Sequence, residues 1–238
     1  YAVSAGASGA VFAVMGAMLY VVIRSRGRIQ DISVRQMMIM AGFSLYFFLL
    51  NLTAFGTVPL MMLYLKNGLN APDNVIVLIS ACSLSGMLFG YLCIGRLLKR
   101  IGMKHTFLLL HFIFFAVNGG LFLIGGRSMA TYLLIAFFLL VYSFAAAASS
   151  IVASAEMMKL ASPGNKIMAM AFNGAFFYGG SGLSRFLTSL LLGSGMFAAE
   201  WQLGTTTVCR YRTFLLLYCA AILLAAPFLL LVPAVNSG

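Results

Sequence analysis

Arg185 is the residue whose position asks most for chemistry. It stands inside the apolar run 167–197, in the stretch Gly180-Ser-Gly-Leu-Ser-Arg-Phe-Leu187. A charge held at membrane depth is costly and marks a functional site until a partner explains it. There it would bind an anionic group of a substrate or pair with an acid. Near a helix end it would instead extend its guanidinium to the interface. Uncharged polar side chains recur in the other runs. Asn51, Thr53 and Thr57 lie in 36–65, Asn118 in 106–126 and Asn173 in 167–197. Such amides and hydroxyls can line a substrate path, or hydrogen-bond one helix to another. His111, between Leu110 and Phe112, has the side chain of a proton relay and equally reads as a packed polar group. Glu156 and Lys159 are spaced to pair on one helix face. Asn51-Leu-Thr53 has the form of a glycosylation sequon, but inside an apolar run it reads as accidental.

The elements that position these residues follow from composition. Of 238 residues, 63% are hydrophobic and only 8% are charged; the mean hydropathy is +1.05. Soluble domains carry roughly 25% charged residues. The apolar residues also come in runs near the ~20 that a helix needs to cross a bilayer. The period-2 alternation of a membrane barrel is missing. An all-α, polytopic transmembrane bundle is therefore expected, with the lipid bilayer as its first partner. The net charge of +11, from 15 Lys+Arg against 4 Asp+Glu, would suggest nucleic acid in a soluble protein. Here the basic residues sit in short loops between apolar runs, so no nucleic-acid partner is expected. Cys82, Cys93, Cys209 and Cys219 lack metal-ligand spacing, and no metal or cofactor is expected. No charged stretch precedes the first apolar run. No cleavable signal peptide is therefore expected, and the chain reads as part of a longer one.

Seven apolar segments are expected, at 5–23, 36–65, 75–95, 106–126, 129–155, 167–197 and 213–235. The second would extend about 45 Å as a straight helix, so it must tilt, kink at Pro59 or protrude. Loop charge sets orientation. Loops 24–35, 96–105 and 156–166 carry the main basic clusters and are placed in the cytoplasm, across a bacterial-type inner (plasma) membrane. The 66–74 loop balances Lys66 against Asp73, and Trp201, in the 198–212 loop, is placed at the outer interface. Small residues such as Gly86 and Gly90, or Gly174, Gly179, Gly180 and Gly182, recur at spacings that let helix backbones approach closely.

From about residue 45 onward the chain resembles the C-terminal half of a major facilitator superfamily transporter. The resemblance is carried by Pro59-Leu-Met-Met-Leu-Tyr-Leu-Lys-Asn-Gly-Leu69, a polar loop and the next apolar segment. Then comes Gly95-Arg-Leu-Leu-Lys-Arg-Ile-Gly-Met-Lys104. That last stretch is similar to the family's loop signature at Gly95, Leu97, Arg100, Gly102 and Lys104. Arg96 adds a further basic residue, Lys99 stands where the family has Asp, and Met103 replaces a basic position. The resemblance implies a six-helix half over 48–238 that rocks against a partner half to carry a small solute, with a coupling proton as an option. The missing N-terminal half would be its partner.

Residues 1–47 resemble something different. Gly6-Ala-Ser-Gly9 followed by Ala-Val-Phe-Ala-Val-Met-Gly-Ala-Met-Leu19, an Arg-rich loop and Ser33-Val-Arg-Gln-Met37 are similar to the serine region of a rhomboid intramembrane protease. The resemblance implies that Ser8 is a catalytic nucleophile. A serine needs a base to act as one, and segment 75–95, where that family places its histidine, has none. The first segment is therefore read as a rhomboid-like fragment joined near Phe47–Leu50 to a transporter half. Solute transport is the expected function. The alternative is a rhomboid-type serine endopeptidase or pseudoprotease.

Overall fold

The computed structural model describes residues 34–161, 166–198, 200–203 and 206–231. The chain runs through α1 (Val34–Ala54), α2 (Thr57–Leu63) with a π-helical turn (Tyr64–Gly68), and α3 (Asp73–Leu123). It continues through α4 (Met129–Leu160), α5 (Lys166–Gly193), strands β1 (Glu200–Leu203) and β2 (Thr206–Cys209), and α6 (Arg210–Ala225) with a final 3-10 turn (Ala226–Leu231). Among the described residues, four helical stretches are long and apolar enough to cross a membrane: Ile39–Gly68, Asp73–Leu123, Met129–Leu160 and Arg210–Leu229.

Among the described residues the expected seven separate spans are not confirmed. The expected segment 5–23 lies outside the described residues, as do Ser8 and the 24–28 arginine cluster. The expected sixth span corresponds to α5, which is 28 residues long but is not among the four stretches. The expected third and fourth spans are the two arms of α3, two helices that meet at a kink. The kink is at Gly102, which adopts φ 77 and ψ 171, a conformation that glycine reaches without steric cost. The expected 96–105 loop is therefore helical on both sides of a single glycine. Leu97, Leu98 and Ile101 keep an apolar helical face there while Arg96, Lys99 and Arg100 stay exposed.

The long second segment is interrupted, but not at Pro59. The interruption is a turn at Phe55–Gly56, and Pro59 sits inside α2. The physical reason is proline's missing N–H and its ring. A proline cannot bond the carbonyl four residues back and crowds it; here that carbonyl belongs to Phe55. The helix breaks where its hydrogen bond fails. On either side the ladder resumes, with Phe55 N donating to Asn51 O at 3.0 Å and Leu60 N to Gly56 O at 3.0 Å. Helix α1 itself is continuous through residue 48.

The main packing pairs are α3 on α4, α1 on α5, and α6 on α3 and α1. The first arm of α3 meets α4 through Gly86 and Gly90, as their spacing leads one to expect. A Cβ on Gly90 would lie 2.6 Å from Phe144 O and 2.9 Å from Ala147 Cβ, and one on Gly86 would strike Leu140 O. Ser83 and Ser143 share a hydrogen bond of 2.6 Å in the same seam. The second arm of α3 meets α1 through aromatic rings, Phe107 lying 6.0 Å from Phe43 and 5.7 Å from Phe47.

The expected 198–212 loop contains a small antiparallel hairpin in which Trp201 pairs with Val208. Trp201 Nε1 donates to Thr213 Oγ1 at 2.7 Å, fastening the hairpin to α6. Val208 is fully buried, and four-residue strands are too short to announce themselves in an apolar background. The expected Glu156–Lys159 pair is present at 3.7 Å, and Lys66 and Asp73, read from the sequence only as balancing charges, also lie 3.6 Å apart.

Candidate functional site

The break at Phe55–Gly56 is where polar groups converge. Ala54 ends α1, so its carbonyl is one of those a helix end leaves without an intrahelical partner. Two hydroxyls reach it. Tyr142, from α4, donates to Ala54 O, and Thr57 Oγ1 lies 2.8 Å from the same atom. Thr57 also faces Asn118 Oδ1, from the second arm of α3, at 2.9 Å. Asn118 turns its Nδ2 to Phe114 O at 2.8 Å. Thr57 has one hydroxyl proton for these two acceptors, Ala54 O and Asn118 Oδ1.

Gly56 completes the turn. A Cβ there would run into the Tyr218 hydroxyl and come within 2.9 Å of Thr188 Oγ1. Those two side chains, from α6 and α5, hydrogen-bond each other beside it. Side chains from α3, α4, α5 and α6 therefore all close on one break between α1 and α2. Interrupted helices survive at membrane depth only where protein or a water-filled cavity covers the freed backbone. In this fold tyrosines and small polar residues supply the cover.

Of the residues singled out in the sequence, Thr57 and Asn118 are brought together, whereas Asn51 faces α5. Asn51 is fully buried, and neither its Oδ1 nor its Nδ2 has a hydrogen-bond partner. It packs at the Gly180 backbone of α5, where a glycine Cβ would lie 3.1 Å from Asn51 Cβ. Thr53 is spent locally, donating to Leu50 O at 3.0 Å. Arg185 lies mid-helix on α5 with its side chain exposed. It forms no ion pair among the described residues. His111 is buried with Nδ1 3.2 Å from Tyr46 Oη.

Asn173 lies elsewhere, on the wall of a crevice between α4 and α5. This crevice has a volume of ≈ 370 Å³ and is lined by Ser154, Met158, Met170, Asn173, Phe177 and Tyr178 among others. Asn173 is 4% exposed and its Oδ1 has no partner. The crevice and the break touch through two rings, Phe177 standing edge-on to Phe55 at 5.3 Å.

The signature-like stretch is remote from both places. Gly95, Arg96, Lys99, Arg100 and Gly102 are exposed and Lys104 is half-buried at the bend of α3. His105 is exposed there too, with Nδ1 3.1 Å from Ile101 O.

Reading the sequence alone missed Tyr142, Thr188, Tyr218 and Gly56. One signal was present: a tyrosine hydroxyl in an apolar run must find a partner when buried. No family model matches this chain, and neither does any curated protein or solved structure.

Proposed function

We propose that this chain is embedded in a membrane and carries a small solute across it, on the plan of one six-helix half of a facilitator-type secondary transporter. The observation that carries the reading is the interrupted helix at Phe55–Gly56, covered by polar side chains from four other helical elements. Broken helices of this kind are where secondary transporters bind solutes and move. Residues 34–231 supply six helical arms once α3 is divided at Gly102 and α1 is joined to α2. The outer face of α3 also supports a lipid setting. Leu84, Leu88 and Leu92 are 65%, 59% and 64% exposed, a patch that water would penalise and lipid covers.

The roles follow from position. Thr57 and Asn118 form the polar centre, and Tyr142 and Tyr218 hold the break. The partner half comes from further polypeptide or from a second copy. The test is uptake by the full chain reconstituted in liposomes, scanned with radiolabelled sugars, amino acids and organic anions. Uptake of one class above protein-free liposomes, lost in Asn118→Leu, supports the reading. Uptake of no class, or uptake indifferent to Asn118→Leu, overturns it.

A further inference from the structure

We propose that the crevice between α4 and α5 binds an uncharged, hydroxyl-bearing small molecule that donates a hydrogen bond to Asn173 Oδ1. The proposal rests on the transport reading for its purpose and deepens it by naming a solute class.

Three observations combine. The first is room. A volume of ≈ 370 Å³ lies at the small end of ligand pockets, about 300–1,000 Å³, and suits a molecule of sugar or polyol size. The second is an unmet acceptor. Asn173 is 4% exposed, lines the crevice, and its Oδ1 has no partner. A buried acceptor left unpaired is destabilising, and buried polar groups in folded proteins are nearly always satisfied. A solute hydroxyl supplies what is missing. The third is the rest of the wall. Among the described residues no charged side chain lines it, so an ionic solute would lose water and gain no counter-charge from them. Ser150 does not compete for the solute, since its hydroxyl donates to Ala147 O at 2.8 Å. Ser154 offers the second polar contact. Phe177 and Tyr178, with rings 5.4 Å apart and nearly perpendicular, and the thioethers of Met158 and Met170 offer apolar faces for the C–H side of a polyol.

The geometry also gives binding a consequence. Phe177 faces the crevice and abuts Phe55, the first residue of the helix break. A solute that fills the crevice fixes the Phe177 ring and thereby biases the Phe55–Gly56 turn. The crevice wall and the turn are thus joined by one aromatic contact.

The test is equilibrium binding to the full chain in lipid nanodiscs, with three tritiated probes: glycerol, myo-inositol and D-glucose. At least one is expected to bind saturably, about tenfold more weakly in Asn173→Leu, the scale of one lost hydrogen bond. Gluconate and glucosamine, charged relatives of the hexose, are expected not to compete. Thermal unfolding without ligand guards against misfolding. Asn173→Leu should melt no lower than the parent, because Asn173 Oδ1 has no protein partner to lose. Saturable binding of none of the three probes overturns the proposal. So does equal binding by a stably folded Asn173→Leu, or equal competition by the charged relatives. Binding without liposome uptake would leave this site standing and remove the transport reading. Uptake indifferent to Asn173→Leu would remove this site and leave transport.

Discussion

Thr57 Oγ1 and Asn118 Oδ1 are 2.9 Å apart although 61 residues separate them in the chain. Both side chains are fully buried. Their bond ties the start of α2 to the second arm of α3, just past the break in the preceding helix.

Thr57→Val and Asn118→Leu should therefore be non-additive. Each alone strands the other partner, and together they remove both. Hydrogen bonds between membrane helices average about 0.6 kcal/mol and rarely exceed about 1.7. A double-mutant cycle in detergent or nanodiscs, read by thermal or denaturant unfolding, should return a coupling in that range. Strictly additive singles would mean that the two groups do not bond in the membrane.

Gly90 and Gly95 lie on the same arm of α3 and should answer oppositely to substitution. At Gly90 a side chain meets Phe144 O and Ala147 Cβ, whereas at Gly95 there is nothing within 4 Å. Gly90→Leu should part α3 from α4 and cost about 1–3 kcal/mol or more, as overpacking does. Gly95→Ala should be neutral or stabilising by up to about 1 kcal/mol, since alanine prefers helix over glycine. Melting temperatures of the two variants decide it; a destabilised Gly95→Ala would contradict an open flank there.

What the sequence reveals of this fold is what local rules govern. The apolar runs, the Gly86/Gly90 seam and the Glu156–Lys159 pair all depend on neighbours within a turn or two. The break at Phe55–Gly56 does not. Pro59 signals that a carbonyl nearby must lose its bond. Whether the helix bends, shifts or stops there depends on Tyr142, Thr188 and Tyr218, which arrive from far along the chain. Arg185 is legible only in part for the same reason. Its charge within an apolar run is visible, but whether that face of α5 points inward is a tertiary fact, and the side chain is exposed. Asn51 and Asn173 were visible as polar residues in apolar runs. That the Asn51 amide and Asn173 Oδ1 remain unpaired once buried could come only from packing.

Gly102 should resist every substitution, although it has space around it. Its φ of 77 lies in the region that side chains rarely adopt, and nothing stands within 4 Å of a Cβ there. The cost of Gly102→Ala is therefore conformational, about 1–3 kcal/mol. It would be relieved only if the bend straightened and the two arms of α3 became one rod. Spin-label distances between positions 92 and 112, measured in nanodiscs, separate the outcomes. An unchanged distance with a lowered melting point shows strain retained, and a lengthened distance shows the bend released. An unchanged distance with an unchanged melting point would remove the left-handed glycine from the account of the bend.

Arg212 makes the last prediction because it is the one buried cation among the described residues, at 6% exposure. Its Nε donates to Phe122 O at 2.7 Å and its Nη1 to Thr207 O at 3.2 Å. The guanidinium carbon lies 5.4 Å from the centre of the Phe122 ring. One side chain on α6 thus satisfies a carbonyl at the C-terminal end of α3 and one on the hairpin. The planar fork serves two acceptors at fixed angles, which a lysine ammonium on a flexible stem does not reproduce. Arg212→Met should cost about 1.5–3 kcal/mol, the range for hydrogen bonds from a charged donor. Arg212→Lys should recover less than half of that. Because the hairpin is fastened to α6 both here and by Trp201, amide exchange at Thr207 and Val208 should rise in Arg212→Met before the helices loosen. Full rescue by lysine would show that charge alone, and not the fork, holds these three elements together.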